Sequence, residues 1–294
     1  WFTMDAALAE ARRMLADASI EGGFAVCGVS GGVDSAVAAV LAHQAFGERM
    51  TAIYVETGLM REGESAAVQE TFERLGIPLR VADRAESVLA GLRGKQTMRE
   101  KREVVVACLH EEMIRQTEAS PGAKTLVMGT NYSDFLGGAN NAVWQDCGMA
   151  VLEPLALLFR EEVRAIAETL GMDSSIVQRK PFPLMGLGAR IIGEVTPEKL
   201  AALRKADAIF SGEIREAGLN KKLYKYFPIM VDAQKETSTI ILRAVTISGA
   251  MLVPARLPYD LVERTVERIL ETTPTVRRVF YDQTPTPIGK ETFQ

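Results

Sequence analysis

Phe24-Ala25-Val26-Cys27-Gly28-Val29-Ser30-Gly31-Gly32-Val33-Asp34-Ser35, followed by Ala36-Val37-Ala38-Ala39-Val40-Leu41-Ala42, is an apolar strand that turns through a Ser-Gly-Gly loop into a helix. Glycines at 31 and 32 let the backbone take positive φ and approach an oxyanion, while the first N–H groups of the helix and its positive end face that anion. Ser30 and Ser35 add hydroxyl donors. Asp34 would repel a bare phosphate, so its presence points to an intervening Mg²⁺ that it helps to hold. No lysine ends the loop, whereas a P-loop ATPase needs GxxxxGK[ST]; this argues against γ-phosphate transfer and for a site that grips a pyrophosphate leaving group. Strand-to-helix turns in α/β proteins favour Gly and Ser in general, and an Asp near a helix N-terminus answers the dipole. All six positions of S-G-G-V-D-S together point beyond that.

The rest of the chain supplies the context such a loop needs. Short β-rich runs at 50–56, 79–82 and 125–128 alternate with helical patterns, which predicts a doubly wound parallel sheet. The helix of 64–75 stops at Gly76 with Pro78 beyond it, and a longer one runs from about 97 to 117 behind a basic head, Lys95 to Arg102. Periodicity breaks at 179–188. Thr196-Pro197-Glu198 then opens a new helix with an N-cap and a first-turn proline. Beyond it, strands at 227–231 and 239–247, a helix at 259–271 and a strand at 276–281 predict a small antiparallel sheet with helices on one face. The expected domains are 1–194 for nucleotide chemistry and 195–294.

A length of 294 residues fits about two domains. With 47% hydrophobic and 24% charged residues the composition is that of a globular enzyme. No run of about 20 apolar residues exists. The amphipathic, acid-containing start reads as neither a signal nor a transit peptide, with Met4 a plausible natural start, so a cytoplasmic protein away from membranes is expected. Cys27, Cys108 and Cys147 show no paired spacing, which fits a reducing compartment and excludes a structural zinc site. His43 and His110 are the two histidines, too few for metal hydrolysis. The net charge of −4 argues against nucleic acid as the partner and requires local positive charge wherever ATP binds.

The loop resembles the signature of the ATP pyrophosphatase group, and four later stretches resemble GMP synthetase in the same order. Glu153-Pro154-Leu155 with Phe159-Arg160-Glu161-Glu162-Val163-Arg164 is similar to its E-P-L-x-x-L-F-K-D-E-V-R. Pro181-Phe182-Pro183 with Gly186-Leu187-Gly188-Ala189-Arg190-Ile191-Ile192-Gly193-Glu194 is similar to its P-F-P-G-P-G-L-x-x-R-x-x-G-E. Leu203 to Phe210 resembles the helix after that loop, and Leu242-Arg243-Ala244-Val245 with Leu257-Pro258-Tyr259-Asp260-Leu261 resembles the C-terminal, dimer-forming domain.

The resemblance implies a mechanism. In that family the 2-carbonyl oxygen of XMP attacks the α-phosphate of ATP, pyrophosphate leaves, and ammonia then displaces AMP. Adenylation turns a hopeless oxide leaving group into AMP, and the enzyme positions, neutralises charge and excludes water. The resemblance assigns Ser30, Gly31, Gly32, Val33, Asp34 and Ser35 to the pyrophosphate, with Asp34 on Mg²⁺. It assigns Val55 to Leu59, with Gly129 and Thr130, to the walls of the nucleotide pocket, and Lys101 or Arg102 to a lid over the phosphates. A homodimer follows from the C-terminal likeness. A separate glutaminase chain would supply the ammonia, since this one carries no amidotransferase domain of its own.

The departures fall on the acceptor side. P-G-P-G-L is replaced by Pro183-Leu184-Met185-Gly186-Leu187, the glycine-rich stretch ending in G-D-x-R by 232–237, and the ending K-P-P-A-T-I-E-W-E by 286–294, where its lysine and both glutamates are not matched position for position. After Gly129-Thr130 the family's K-S-H-H-N is absent. The acceptor is therefore left open between XMP and another nucleobase-like molecule. Sulfur transfer to such an acceptor is the alternative to amination, with Cys147 or Cys108 as persulfide carrier if its pKa were lowered; a small buried hydrophobe is the other reading of each. A catalytically silent nucleotide sensor is a third. Arg243 and Arg256 read either as ligand-phosphate contacts or as surface or interface ion pairs.

Overall fold

The computed structural model describes residues 3–120, 122–136, 148–180, 182–232 and 237–288. In chain order the helices are α1 (Met4–Ile20), α2 (Val33–Phe46), α3 (Glu64–Arg74), α4 (Ala85–Gly91), α5 (Met98–Glu118), α6 (Tyr132–Leu136), α7 (Arg160–Thr169), α8 (Ser174–Val177), α9 (Pro197–Glu216) and α10 (Tyr259–Thr272). The chain divides into two compact units that interleave in sequence: residues 1–56, 63–84 and 106–182 form one, and 57–62, 85–105 and 183–294 the other.

The first unit is built on five parallel strands, β1 (Phe24–Val29), β2 (Met50–Glu56), β3 (Leu79–Asp83), β4 (Ala123–Met128) and β5 (Ala150–Leu152), in the order β3-β2-β1-β4-β5. Strand alternation sends β1 residues to both faces. Ala25, Cys27 and Val29 join Leu15 of α1, Ala38 and Leu41 of α2 and Val163 of α7 in one core; Val26 joins Ile53, Leu126 and Met113 of α5 in the other. Covering both faces suits a parallel sheet, whose strands must be apolar throughout. The winding reverses between β1 and β4, and ligands of such sheets bind in the crevice outside the carboxyl ends of the strands at that point.

The second unit carries β6 (Ile191–Ile192), β7 (Lys225–Asp232), β8 (Ser238–Ser248), β9 (Met251–Pro254), β10 (Val276–Tyr281) and β11 (Thr286–Pro287), ordered β11-β9-β8-β7-β6 with β10 against β8. The sheet is mixed rather than antiparallel: β7, β8 and β9 alternate, but β10 runs parallel to β8 and β6 parallel to β7. Helix α9 lies between β6 and β7 and α10 between β9 and β10, so each parallel pair is reached through a helical connection instead of a hairpin. Helix α9 starts where Thr196 Oγ accepts from the Lys199 amide (3.3 Å), and buries Leu200, Leu203, Phe210 and Ile214. In this part of the chain the second unit begins at Pro183. No helix among the described residues is long and apolar enough to cross a membrane.

Candidate active site

The carboxyl end of β1 opens into the loop of Ser30 to Ser35. Gly31 takes φ +80°, and a Cβ there would stand 2.5 Å from Val68 Cγ2, so this turn demands glycine on both conformational and steric grounds. Helix α2 then starts at Val33 with no side chain capping its first amides, and those donors, with the positive end of the helix behind them, are presented to an anion. The two serines tie the loop together. Ser35 Oγ accepts from the Ser30 amide (3.1 Å) and donates to the Gly32 carbonyl (3.1 Å), and the two hydroxyls lie 3.3 Å apart. Ser35 is buried, and Ser30 is exposed at the mouth.

Asp34 is one helical position inside this loop. Its Oδ2 lies 3.4 Å from Arg160 Nε, while its Oδ1 is buried with no hydrogen-bond partner. Burial pushes the Asp34 carboxyl up from its usual range, with Arg160 and Arg164 opposing and the nearby Asp134 adding to the rise. Arg160 Nη2 reaches Asp134 Oδ1 at 2.9 Å, so one guanidinium spans two carboxylates brought from α2 and α6. The Asn131 side chain accepts from the Asp134 amide (3.1 Å), and the Asn131 amide donates to Asp134 Oδ2 (3.2 Å).

Arg179 donates from Nη1 to the Gly31 carbonyl (2.5 Å) and from Nη2 to Glu64; its own carbonyl accepts from Arg164 Nη2 (3.3 Å). Arg160, Arg164 and Arg179 bring three guanidinium groups to the loop, Arg160 paired with Asp34 and Asp134 and Arg179 with Glu64. Burial and the charge of Arg164 pull the neighbouring Lys180 below its usual pKa. Sequence reading assigned none of the three arginines to the site. The signal available was the i, i+4 spacing of Arg160 and Arg164, which puts both on one face of α7.

The other expected site residues fall in both units. Gly129 ends β4 against the loop, where a Cβ would meet Ser35 N at 2.7 Å, and Thr130 beside it is buried. Val55 belongs to the core of the first unit. Leu59 is fully buried in the second, its carbonyl accepting from the Leu187 amide (2.7 Å). Lys101 and Arg102 also belong to the second unit. Lys101 is 1% exposed and its Nζ donates to the Ile191 carbonyl (2.6 Å), while Arg102 is exposed. Cys27 is fully buried with its thiol pushed up to about 12, and Cys108 is buried with its pKa also raised; neither has the lowered pKa a persulfide carrier needs. Cys147 and the segment around it, 137–147, lie outside the described residues, as do 233–236 and 289–294. Arg243 is buried and bonded to Asp282 and Thr286.

Asp34 fits a divalent cation held jointly with phosphate oxygens: its Oδ1 is a buried oxygen with no donor, and Asp134 is the second carboxylate tied to it through Arg160. Among the described residues no group of three or more His, Cys, Asp or Glu side chains is placed to hold a metal ion.

Fold and site together define a nucleotide enzyme of the ATP pyrophosphatase type, with a serine-glycine loop at the switch point of a doubly wound sheet. The NAD synthase family model matches residues 10–187. The chain is 41% identical to GMP synthase [glutamine-hydrolyzing] of Symbiobacterium thermophilum, over 91% of this chain and 56% of that one. It is 38% identical to one of the GMP synthase [glutamine-hydrolyzing] subunits of Methanocaldococcus jannaschii, over 97% of this chain and 96% of that protein. NMN synthetase of Francisella tularensis shares the fold, with a TM-score of 0.53 at 20% identity, over 64% of this chain and 79% of that one. This chain belongs to the GMP synthase family, on its ATP pyrophosphatase side, among enzymes of the ATP-dependent ligase type. It spans about half the length of the Symbiobacterium relative and nearly all of the Methanocaldococcus one.

Proposed function

We propose that this protein adenylates a nucleobase carbonyl with ATP, releases pyrophosphate, and lets ammonia displace AMP, as in the conversion of XMP to GMP. The observation that carries this reading is the loop of Ser30 to Ser35, with uncapped amides, a positive-φ Gly31 and three arginines, but no lysine for γ-phosphate transfer. The acceptor oxygen attacks the α-phosphorus, the bond to the bridging oxygen breaks, and the departing pyrophosphate takes the electron pair. Ammonia then adds at the activated carbon, and AMP leaves with the former carbonyl oxygen.

The α2 amides, Ser30 and Ser35 bind the pyrophosphate; Arg160 and Arg164 offset its charge as it departs. Gly129 and Thr130 close the nucleotide side at the end of β4. Asp34, with Asp134, would hold Mg²⁺, which would supply charge neutralisation for the leaving group. The near full-length match to a relative that is named as one subunit of its enzyme supports ammonia supplied by a separate glutaminase chain. Residues 1–194 carry the ATP chemistry in this reading, and 195–294 a contact with a second copy.

The test is incubation with ATP, Mg²⁺, ammonium and XMP, with a panel of other purine and pyrimidine monophosphates beside it. AMP, pyrophosphate and an aminated nucleotide are expected in equal amounts. Appearance of ADP, or no acceptor-dependent AMP across the panel, would overturn the reading.

A further inference from the structure

Pyrophosphate binding at this loop requires something to fix its turn. Gly31 and Gly32 are the two residues with the least intrinsic stiffness in the site, and an anion-binding amide is effective only if it is aimed before the ligand arrives. We propose that Arg179, held by Glu64, is a positioning residue that aims the Gly32 amide at pyrophosphate.

The link is stereochemical, and it rests on the loop being the pyrophosphate site. In a planar trans peptide the carbonyl of one residue and the amide of the next point in opposite directions. No cis peptide occurs among the described residues, so whatever fixes the Gly31 carbonyl also fixes the Gly32 N–H. Arg179 Nη1 fixes it, at 2.5 Å. On the other side of the same peptide, the Gly32 amide has only a long contact, 3.4 Å, to Ser30 Oγ. A bond at that limit is readily given up for a charged phosphate oxygen. The space a Cβ would take on Gly31 is already filled by Val68 of α3, 2.5 Å away, and by Arg179 Nη1, 3.3 Å away, so the guanidinium packs against the bare turn as well as bonding its carbonyl.

Glu64 explains why the arginine stays. It occupies the first turn of α3 and takes Arg179 Nη2, so the two ends of one planar guanidinium are committed, one to the loop carbonyl and one to the carboxylate. A carboxylate this close to an anion site costs electrostatic repulsion. A holder for Arg179 accounts for its presence there, and a phosphate contact does not.

That repulsion gives the test its sign. Removing the Glu64 charge should by electrostatics alone tighten anion binding, whereas loss of the latch should weaken it. Binding of inorganic pyrophosphate with Mg²⁺ is measured by calorimetry on the whole chain, wild type against Glu64→Gln, Arg179→Met and Arg179→Lys, with thermal melts alongside. The latch predicts weakening by roughly ten- to a hundredfold in Glu64→Gln and Arg179→Met, the range for one charge-assisted bond, with partial rescue in Arg179→Lys. It further predicts a rise in KM for ATP larger than the fall in kcat. Glu64→Gln keeps the side-chain shape, so it carries the test where Arg179→Met loses its melting transition. Unchanged or tighter pyrophosphate binding in folded Glu64→Gln overturns the latch; if Arg179→Met alone weakens binding, Arg179 touches the phosphate itself and the latch is again overturned. Failure of the wild type to bind either pyrophosphate or ATP overturns the loop reading, and the latch with it.

Discussion

A Cβ on Gly129 would lie 2.6 Å from the Cα of Ser35, closer than any side chain can sit to a backbone. The end of β4 and the start of α2 are therefore in contact through bare main chain, and the loop between β1 and α2 is seated on that contact. Gly129→Ala must push α2 and the loop away, because every atom it meets first is backbone. The expected cost is about 1–3 kcal/mol of stability, as for other overpacked sites, together with loss of ATP binding. A thermal melt and an ATP titration check it; a variant that keeps both would show the contact to be dispensable.

Asp34 should trade stability for function. Burial raises its pKa, so its ionised form is disfavoured in the fold. For a carboxyl raised above its unfolded value, stability is fully present below the unfolded pKa and falls as pH rises through the folded one. Asp34→Asn is thus expected to melt higher than wild type at neutral pH, with the difference shrinking as the pH is lowered below the carboxylate range. The same variant should lose acceptor-dependent AMP release. Melting curves from about pH 4 to 8, spanning the range over which such a carboxyl titrates, are paired with the AMP assay to test both halves.

Much of this was legible in the sequence, and the limits have physical causes. Ser30 to Ser35 is a local motif whose strand, turn and helix are neighbours in the chain, so its geometry follows from its residues. The second carboxylate and the arginines are different: Arg160 meets Asp34 across 126 positions and Arg179 meets Gly31 across 148. Only the fold brings such pairs together, and no periodicity announces them. The burial of Lys101 was hidden for a related reason. A basic run at a helix start looks solvent-facing, yet position 101 sits on the inner side of α5 while Arg102 faces out.

Lys101 gives the clearest pH signature. Burial, with Lys199 adding its charge and Asp232 opposing, pulls its pKa down to about 8 from 10.5. A base lowered by folding is protonated more readily in the unfolded chain, so stability rises with pH between those values and is lost as pH falls through the lower one. The unfolding free energy of wild type relative to Lys101→Met should grow by roughly 2 kcal/mol between about pH 7.5 and 10. Urea unfolding at the two values measures it. A gap that stays constant would mean the amine is solvated and its bond to the Ile191 carbonyl is not kept in solution.

In the second unit the pair Arg243 and Asp282 is buried, its side chains only 2% and 7% exposed. Arg243 also donates to the Thr284 carbonyl (3.2 Å) and to Thr286 Oγ1 (2.8 Å), so it joins β8 to the chain running from β10 into β11. Two charges taken out of water gain little net energy from each other, but removing one strands its partner in a medium that cannot solvate it. Asp282→Leu alone is therefore expected to cost about 3–5 kcal/mol, and Arg243→Met alone a similar amount. The double variant replaces both charges with apolar volume and should recover most of that loss. Urea midpoints for the four proteins close the cycle. Additive losses would mean that water reaches the pair and that β8 is held by its strand partners alone.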